Sequence, residues 1–441
     1  MIEPETIFAV SSGSGRAGVA VVRVSGPASL DVMAALARNV PETRRFSLRK
    51  IFGHDGSLLD QAVVIWLPGP QTVTGEDMAE FHVHGSPAVI ALVLRELSLV
   101  SGCRLAEPGE FTRRAFDNGR LGLLEVEGLA DLLAAESEAQ RRLALRQFSG
   151  ESTAVVEAWR MDILAALALL EAAIDFSDEQ DVAQSAVVLA MAALEKLRTE
   201  LLRAEAAADR VSAIRRGLRV VIAGPANAGK SSLLNWLAER DAAIVSAQPG
   251  TTRDVVDAPV VLSGVSVLLS DTAGLRDGSF DAIEMEGMNR TRRALSEADV
   301  VVWVEAADAS GDPPPDVEAT FRLLNKVDLL AVDSIQTRNE SPIAVSVKTG
   351  VGLGDFKSKL EAAIAARSVV GEHDVVVRER HRVAVAQSIR FLNDALDRPK
   401  TGLELIAEDV RNAARALSLF TGRIDTEELL GKIFADFCIG K

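Results

Sequence analysis

Eight residues, Gly224-Pro-Ala-Asn-Ala-Gly-Lys-Ser231, carry the spacing G-x-x-x-x-G-K-S of a phosphate-binding loop. Glycines there let backbone N–H groups wrap a phosphate, Lys230 reaches the terminal phosphates and Ser231 ligates Mg²⁺. Alone, the spacing is only moderately specific. It gains weight from its surroundings: Leu218 to Ala223 reads as a buried strand, and Ser232 to Ala238 as a helix whose N-terminus faces the anion. Four further segments follow in the order of a GTPase: Thr251-Thr252-Arg253-Asp254, Asp271-Thr272-Ala273-Gly274, Asn325-Lys326-Val327-Asp328 and Ser346-Val347-Lys348. A carboxylate at Asp328 can accept from guanine N1–H and from the 2-amino group, whereas adenine offers neither donor. Sites that read a polar group this way reject analogues lacking it by roughly 10⁴-fold. The expected ligand is GTP, held by Asn227, Ala228, Gly229, Lys230, Ser231 and Ser232 together with the four later segments. Asp271 is expected to hold the Mg²⁺ shell, Gly274 to sense the γ-phosphate, and Thr252 to close over the metal.

Leu275 follows Asp271-Thr272-Ala273-Gly274, where many GTPases place a glutamine that positions the attacking water. An aliphatic side chain cannot orient water. Either hydrolysis is very slow, or the catalytic groups enter from elsewhere, and the acidic segment from Asp277 to Glu286 is the place to look. Asn227 offers an amide oxygen beside the phosphates. There it could help hold a monovalent cation that replaces an arginine finger, a group worth roughly 10³ to 10⁵ in rate.

At 441 residues the chain exceeds one core, so two to four domains are expected. The sequence reads as a multidomain α/β protein. Residues 1–120 read as mixed α/β, with strands at Val19–Val24, Ala62–Leu67 and Ala79–Val83 and a helix at Ala88–Leu99. From Leu121 the chain turns rich in Ala, Leu, Glu and Arg at helical spacing, and it is helical again from Val375. Between them strand and helix patterns alternate, as a parallel sheet with crossover helices requires. The expected layout is therefore a discontinuous helical domain, 121–214 and 371–441, with a Ras-like P-loop domain at 215–370 inserted in it.

The formal charge of −15 excludes nucleic-acid binding through bulk charge. Arg44, Arg45, Arg49 and Lys50, and Arg141, Arg142 and Arg146, are the local basic clusters, and each reads as a solvated face. Cys103 and Cys438 are far apart and lack C-x-x-C spacing, which fits a reducing compartment. Neither a signal-peptide pattern at Met1-Ile-Glu-Pro-Glu5 nor a membrane-length apolar run is evident, so a cytoplasmic protein with no membrane association is expected.

Several further motifs accompany Leu275, Asn227 and Gly250-Thr-Thr-Arg-Asp254. They are Gly15-Arg-Ala-Gly-Val, Arg23-Val-Ser-Gly26, Thr74-Gly-Glu-Asp77, Glu80-Phe-His-Val-His-Gly85, Pro108-Gly-Glu-Phe-Thr112, Arg114-Ala-Phe-Asp-Asn-Gly-Arg120 and the terminal Phe437-Cys-Ile-Gly-Lys441. With them the chain resembles, end to end, the MnmE (TrmE) family of tRNA modification GTPases. The resemblance implies a homodimer joined by N-terminal domains that bind a tetrahydrofolate derivative, 5-formyl- or 5,10-methylene-. It also implies a complex, heterotetrameric or larger, with the FAD-binding partner MnmG. That complex would install a carboxymethylaminomethyl or aminomethyl group at C5 of the wobble uridine of certain tRNAs. By position, Arg23, Glu80, Arg120 and Lys441 would contact the folate; Asn227, Ser246, Gln248 and Thr251 would line a K⁺ site; and Ser231 and Thr252 would bind Mg²⁺. Glu284 would orient the hydrolytic water, with Arg276 and Cys438 as further catalytic candidates. K⁺-dependent pairing of two GTPase domains would drive hydrolysis. Ser246 stands where threonine is expected, Gln248 would ligate through its carbonyl, and Pro249 fixes φ just before Gly250.

Glu80, His82 and His84 share one face of a strand and could be read as a metal set, but no fourth ligand is evident. A polar binding or interface face is the favoured reading. Cys438 stands open between an inert thiol and a site group, while Phe111 and Phe116 read as core. A GTP-dependent assembly switch of the ribosome-biogenesis type is the alternative function, though it has no use for the N-terminal motifs.

Overall fold

A computed structural model describes residues 5–13, 15–176, 180–241, 257–271, 292–308, 318–330, 342–371, 373–398, 402–422, 431, 433–434, 437 and 440. The chain divides into two compact units, residues 1–130 with 421–441 and residues 131–420.

The first unit is built on β1 (Thr6–Val10), β2 (Ala17–Ser25), β3 (Ser47–Phe52), β4 (Leu58–Leu67), β5 (Met78–Gly85) and β6 (Cys103–Leu105), in the order β3-β4-β5-β2-β1-β6. Neighbours are antiparallel except β1 and β6. The expected strands fall within β2, β4 and β5, and the expected helix is α2 (Pro87–Ser98). Period-two alternation sends Phe8, Val22, Val24, Phe81 and Val64 to one face, where α1 (Ser29–Ala37) and α2 close the core with Met33, Val93 and Leu97. The register lays two rows across the other face: Ile65, Glu80, Arg23, Ala9, and Leu48, Val63, His82, Val21. The helix α3 (Glu110–Asp117) covers part of this face by packing Phe111 with Ile7, Ala9 and Ala106, so Phe111 is core, as expected.

The helix α4 (Leu123–Ala134) contributes Leu123 and Val126 to an apolar cluster with Phe434 and Phe437, and Phe116 packs against it. This division differs from the expected limits at 120 and 371–441. The apolar cluster itself joins the aromatic side chains near the C-terminus to α4, which lies inside the expected 121–214 stretch.

The second unit contains α5 (Glu138–Phe148), α6 (Glu151–Asp175), α7 (Gln180–Arg216), β7 (Leu218–Ala223), α8 (Lys230–Asp241), β8 (Asp257–Leu262), β9 (Val265–Asp271), β10 (Val300–Ala306), β11 (Phe321–Asn325), β12 (Ile343–Ala344), α9 (Leu353–Arg367), α10 (Glu379–Asp397) and α11 (Leu403–Ser418). The sheet order is β12-β11-β10-β7-β9-β8, parallel except for the β8–β9 hairpin. Every residue of β10 is buried, which matches the apolar run Val300–Val304 and a strand covered on both faces; the buried Glu305 is paired with Arg322. With β9 on one side of β7 and β10 on the other, the chain switches direction at the C-terminal end of β7, where ligands of open α/β sheets bind.

In the same unit α6 packs on α7 and α11, and α10 on α7 and α11, burying Trp159, Ile163, Leu197, Leu201, Leu392 and Val410. The chain leaves this bundle at Arg216 and returns near Arg378. Both crossings meet one carboxylate: Asp131 accepts from Arg215 Nε at 3.1 Å and from Arg378 Nη2 at 3.0 Å. A second pair, Arg210 to the buried Asp374 at 2.5 Å, secures the returning segment. Among the described residues no helix is long and apolar enough to cross a membrane.

Candidate functional site

At the end of β7 the backbone turns sharply. Gly224 has φ +144°, and a Cβ there would lie 2.0 Å from the Val304 carbonyl oxygen of the neighbouring strand. Gly229, at φ +92°, would place a Cβ 2.2 Å from Asn325 Nδ2. No side chain fits either position, and so the loop lies close against β10 and the Asn325 segment. Between them Asn227 takes a left-handed φ of 62°. α8 then starts at Lys230, so its N-terminal N–H groups open toward the loop.

Side chains from three strand ends converge here. Lys230, only 6% exposed, donates to Pro225 O at 2.7 Å and is thereby drawn across the loop. Ser231 Oγ donates to Asp271 Oδ2 at 2.5 Å from the end of the adjacent strand. A hydroxyl beside a carboxylate is an oxygen donor set that fits a hard divalent cation such as Mg²⁺. Asn325 is a buried cross-brace: Nδ2 donates to Ala228 O at 2.8 Å, and Oδ1 accepts from Val347 N at 3.2 Å. It fixes the phosphate loop relative to the segment from Ser346 to Lys348. Asp328 Oδ1 accepts from the buried Ser346 Oγ at 2.6 Å, which holds the Asp328 carboxyl below its usual range, helped by the charges of Lys348 and Lys326. The carboxylate itself is exposed and keeps acceptor capacity for an incoming pair of donors. Lys326, at φ +63°, pairs with Asp308 at 3.1 Å, a contact that no motif announces.

Ser246, Gln248, Thr251, Thr252, Thr272, Ala273, Gly274, Leu275, Arg276 and Glu284 lie outside the described residues, as do Cys438 and Lys441. Of the residues expected around K⁺, only Asn227 is described.

A second polar site stands on the open face of the N-terminal sheet. Arg23 and Glu80 are register partners, with Nε to Oε1 at 2.9 Å. The Arg23 guanidinium carbon sits 5.8 Å from the Phe111 ring centroid. His82 Nε2 lies 3.2 Å from Glu80 Oε2, and the exposed ring of Phe46 meets the His82 ring edge-on at 5.5 Å. His84 turns away to Asp60 at 2.7 Å, so the three side chains of the Glu80–His84 run do not converge. Among the described residues no group of three or more His, Cys, Asp or Glu is arranged to hold a metal.

Two residues along β2 from Arg23, Ser25 meets Thr74 and Glu76, each at 2.7 Å. Arg114 joins Glu76 at 2.9 Å to Glu110 at 3.2 Å, and Arg104 completes the chain at 2.6 Å. Burial pushes the Glu110 pKa up most strongly, but the hydrogen bonds from Arg104 and the Glu107 backbone, with the charges of Arg104 and Arg114, together leave it below the ordinary value. Arg120 is exposed beside Gly75, where a Cβ would meet its Cγ at 3.4 Å. Near the C-terminus Gly440, at φ +99°, would place a Cβ 2.0 Å from Val10 O, and so this turn lies directly on the end of β1.

Comparison with known proteins finds relatives along the whole chain. A family model described as the MnmE helical domain matches residues 123–438, and one described as the GTP-binding protein TrmE N-terminus matches residues 6–120. A curated protein of Methylobacterium sp. named tRNA modification GTPase MnmE is 48% identical over 99% of this chain and 100% of its own length. Proteins of the same name from Phenylobacterium zucineum, 46% identical over 99% of this chain and all of theirs, and Methylorubrum populi, 48% identical over all of this chain and 99% of theirs, match similarly. Among solved structures, the G domain of the T. maritima FeoB transporter aligns with 34% of this chain and 99% of its own. Its identity is 20% and its TM-score 0.24, a superposition too loose to bear on the fold.

Proposed function

The chain belongs to the MnmE family of tRNA modification GTPases, and from that premise we propose that it binds and hydrolyses GTP as one component of tRNA modification. The observation that carries the nucleotide half is the Asn325 cross-brace with the Ser346-held Asp328, which joins phosphate loop and base reader at a fixed spacing. Backbone N–H groups at Gly229 to Ser231 and the Lys230 ammonium take the phosphates. Ser231, with Asp271 beside it and Thr252, holds Mg²⁺, which neutralises charge on the β- and γ-phosphates. Asp328 accepts from guanine.

In the finer reading, the product is a carboxymethylaminomethyl or aminomethyl group at C5 of the wobble uridine, made with an FAD-binding MnmG-type partner. The N-terminal site takes a tetrahydrofolate derivative as one-carbon donor. Arg23 and Glu80, paired and flanked by Phe111, offer a cation, an acceptor and an aromatic edge to such a ligand, with Arg120 and Lys441 as further contacts. Two copies join through the N-terminal domains. The half-open sheet face supports this, since Phe46, Leu48 and Val19 are 64%, 58% and 55% exposed around the Val21–His82–Val63 row. Large apolar side chains grouped like this mark interaction surfaces. Glu284 orients the attacking water, Arg276 and Cys438 assist, and K⁺ at Asn227, Ser246, Gln248 and Thr251 supports pairing of two GTPase domains. The domains act as an N-terminal part, a helical part and an inserted GTPase part.

Nucleoside analysis of tRNA from cells lacking this chain tests the proposal. The C5-modified wobble uridine disappears and returns with the wild-type gene. An unchanged nucleoside profile would refute it.

A further inference from the structure

We propose that His82 is a positioning residue for Glu80 and, through it, part of what selects the ligand of the N-terminal site; this rests on the folate reading above. The two oxygens of Glu80 are divided between two partners, Oε1 with Arg23 across the register and Oε2 with His82 on the same strand. An ionised carboxylate only accepts, so the hydrogen of the Glu80–His82 bond is on Nε2. The terminal torsion of a glutamate is broad, and one partner alone leaves the carboxylate plane loosely set. Two partners on different oxygens set it. Each oxygen keeps one further acceptor position, and the carboxylate remains partly exposed. A ligand edge with adjacent N–H donors, such as the ring N3–H and 2-amino group of a pterin, matches that pair.

His82 is itself held. Its ring meets Phe46 edge-on at 5.5 Å with an interplanar angle of 76°, a preferred aromatic geometry, while Val21 and Val63 flank it in the row. Phe46 stands just before the edge strand β3 and is 64% exposed, so it reaches over from the sheet margin to place one ring. The side chains of Arg23, Glu80 and His82 retain 20%, 15% and 24% exposure, enough for a ligand to reach the pair without unfolding the sheet.

Binding of 5-formyltetrahydrofolate to the full chain by calorimetry tests the proposal. His82→Leu removes the donor, and Kd rises about tenfold, the scale of a hydrogen bond to a charged group. His82→Gln, which can present a side-chain N–H to Oε2, recovers most of the affinity. Wild-type affinity in His82→Leu would overturn the proposal, as would a His82→Gln variant no better than His82→Leu, since the ring would then matter only for packing. A ligand-independent readout accompanies these: selective ¹⁵N labelling of histidine reports the tautomer of His82, expected as Nε2–H in wild type and redistributed in Glu80→Ala. An unchanged tautomer overturns the tie. If the wild-type chain binds no folate at all, the folate reading falls by itself, and the tautomer measurement still decides whether His82 holds Glu80.

Discussion

The two sites are built by opposite means. The nucleotide site is mostly backbone: two glycines, a helix N-terminus and loops at the ends of parallel strands, with one side chain for each task. The N-terminal site is made of side chains linked to one another, Arg23 across the register to Glu80 and on to His82 of the same strand, and beside it Arg104 to Glu110 to Arg114 to Glu76. In the first, the base reader and the phosphate-loop lysine each act through a single side chain. In the second, several residues share the positioning, and removing one leaves partners that still constrain one another. Single changes should therefore cost far more in the first site than in the second.

The largest effect tests that claim most severely. Asp328→Asn should weaken GTP by roughly 10⁴-fold, the scale on which a site rejects a base with mismatched donors. The same variant should gain affinity for XTP, whose 2-oxo group accepts where guanine donates. Unaltered GTP affinity in a nucleotide titration would remove Asp328 as base reader. Next, Lys230→Ala should cut single-turnover hydrolysis by about 10²- to 10³-fold, as loss of one preorganised donor does. Smaller again, Arg23→Met and Glu80→Gln should each weaken 5-formyltetrahydrofolate by about tenfold. The double variant should lose much less than the product of the two, because contacting partners are coupled. Strict additivity would mean the pair is not shared and would break the comparison.

The smallest effect is a shift in pH dependence. Asp328 has a depressed pKa, so its ionised form persists through the ordinary carboxylate range, and GTP affinity should fall only as pH drops through that lower value. Ser346→Ala removes the main cause, and the acid limb of GTP binding should move upward while affinity at neutral pH changes little. A limb that stays in place would show that the hydroxyl does not stabilise the charge.

Much of the nucleotide site was legible because its groups are contiguous in the chain: a loop that needs glycine at 224 and 229 writes that need into neighbouring residues. The Asp308–Lys326 pair was not, since no spacing signals it. In the N-terminal unit, strand existence could be read from alternation, but nothing local says that residue 23 faces residue 80. Register decides that, and register is a property of the folded sheet. Strand periodicity marks Glu80 and His82 as one polar face, but only family resemblance points to Arg23, and no pattern points to Phe46. The edge strand β3, with Arg49 and Lys50 in its middle, did not look like a strand, although charge is common on edges. Of the basic runs, Arg141 and Arg142 do sit on a solvated face with Glu138, whereas Arg146 reaches the Gly371 carbonyl and ties α5 to the returning crossing.

The place of Asp131 between Arg215 and Arg378 has a mechanical meaning. A sheet joined to a bundle by two separate chain crossings could tilt at each one independently. Bound to one carboxylate, the crossings share a pivot, and the inserted sheet turns about that point or breaks an ion pair. One acidic side chain thereby removes degrees of freedom from a movement that would otherwise have several, leaving something closer to a single axle.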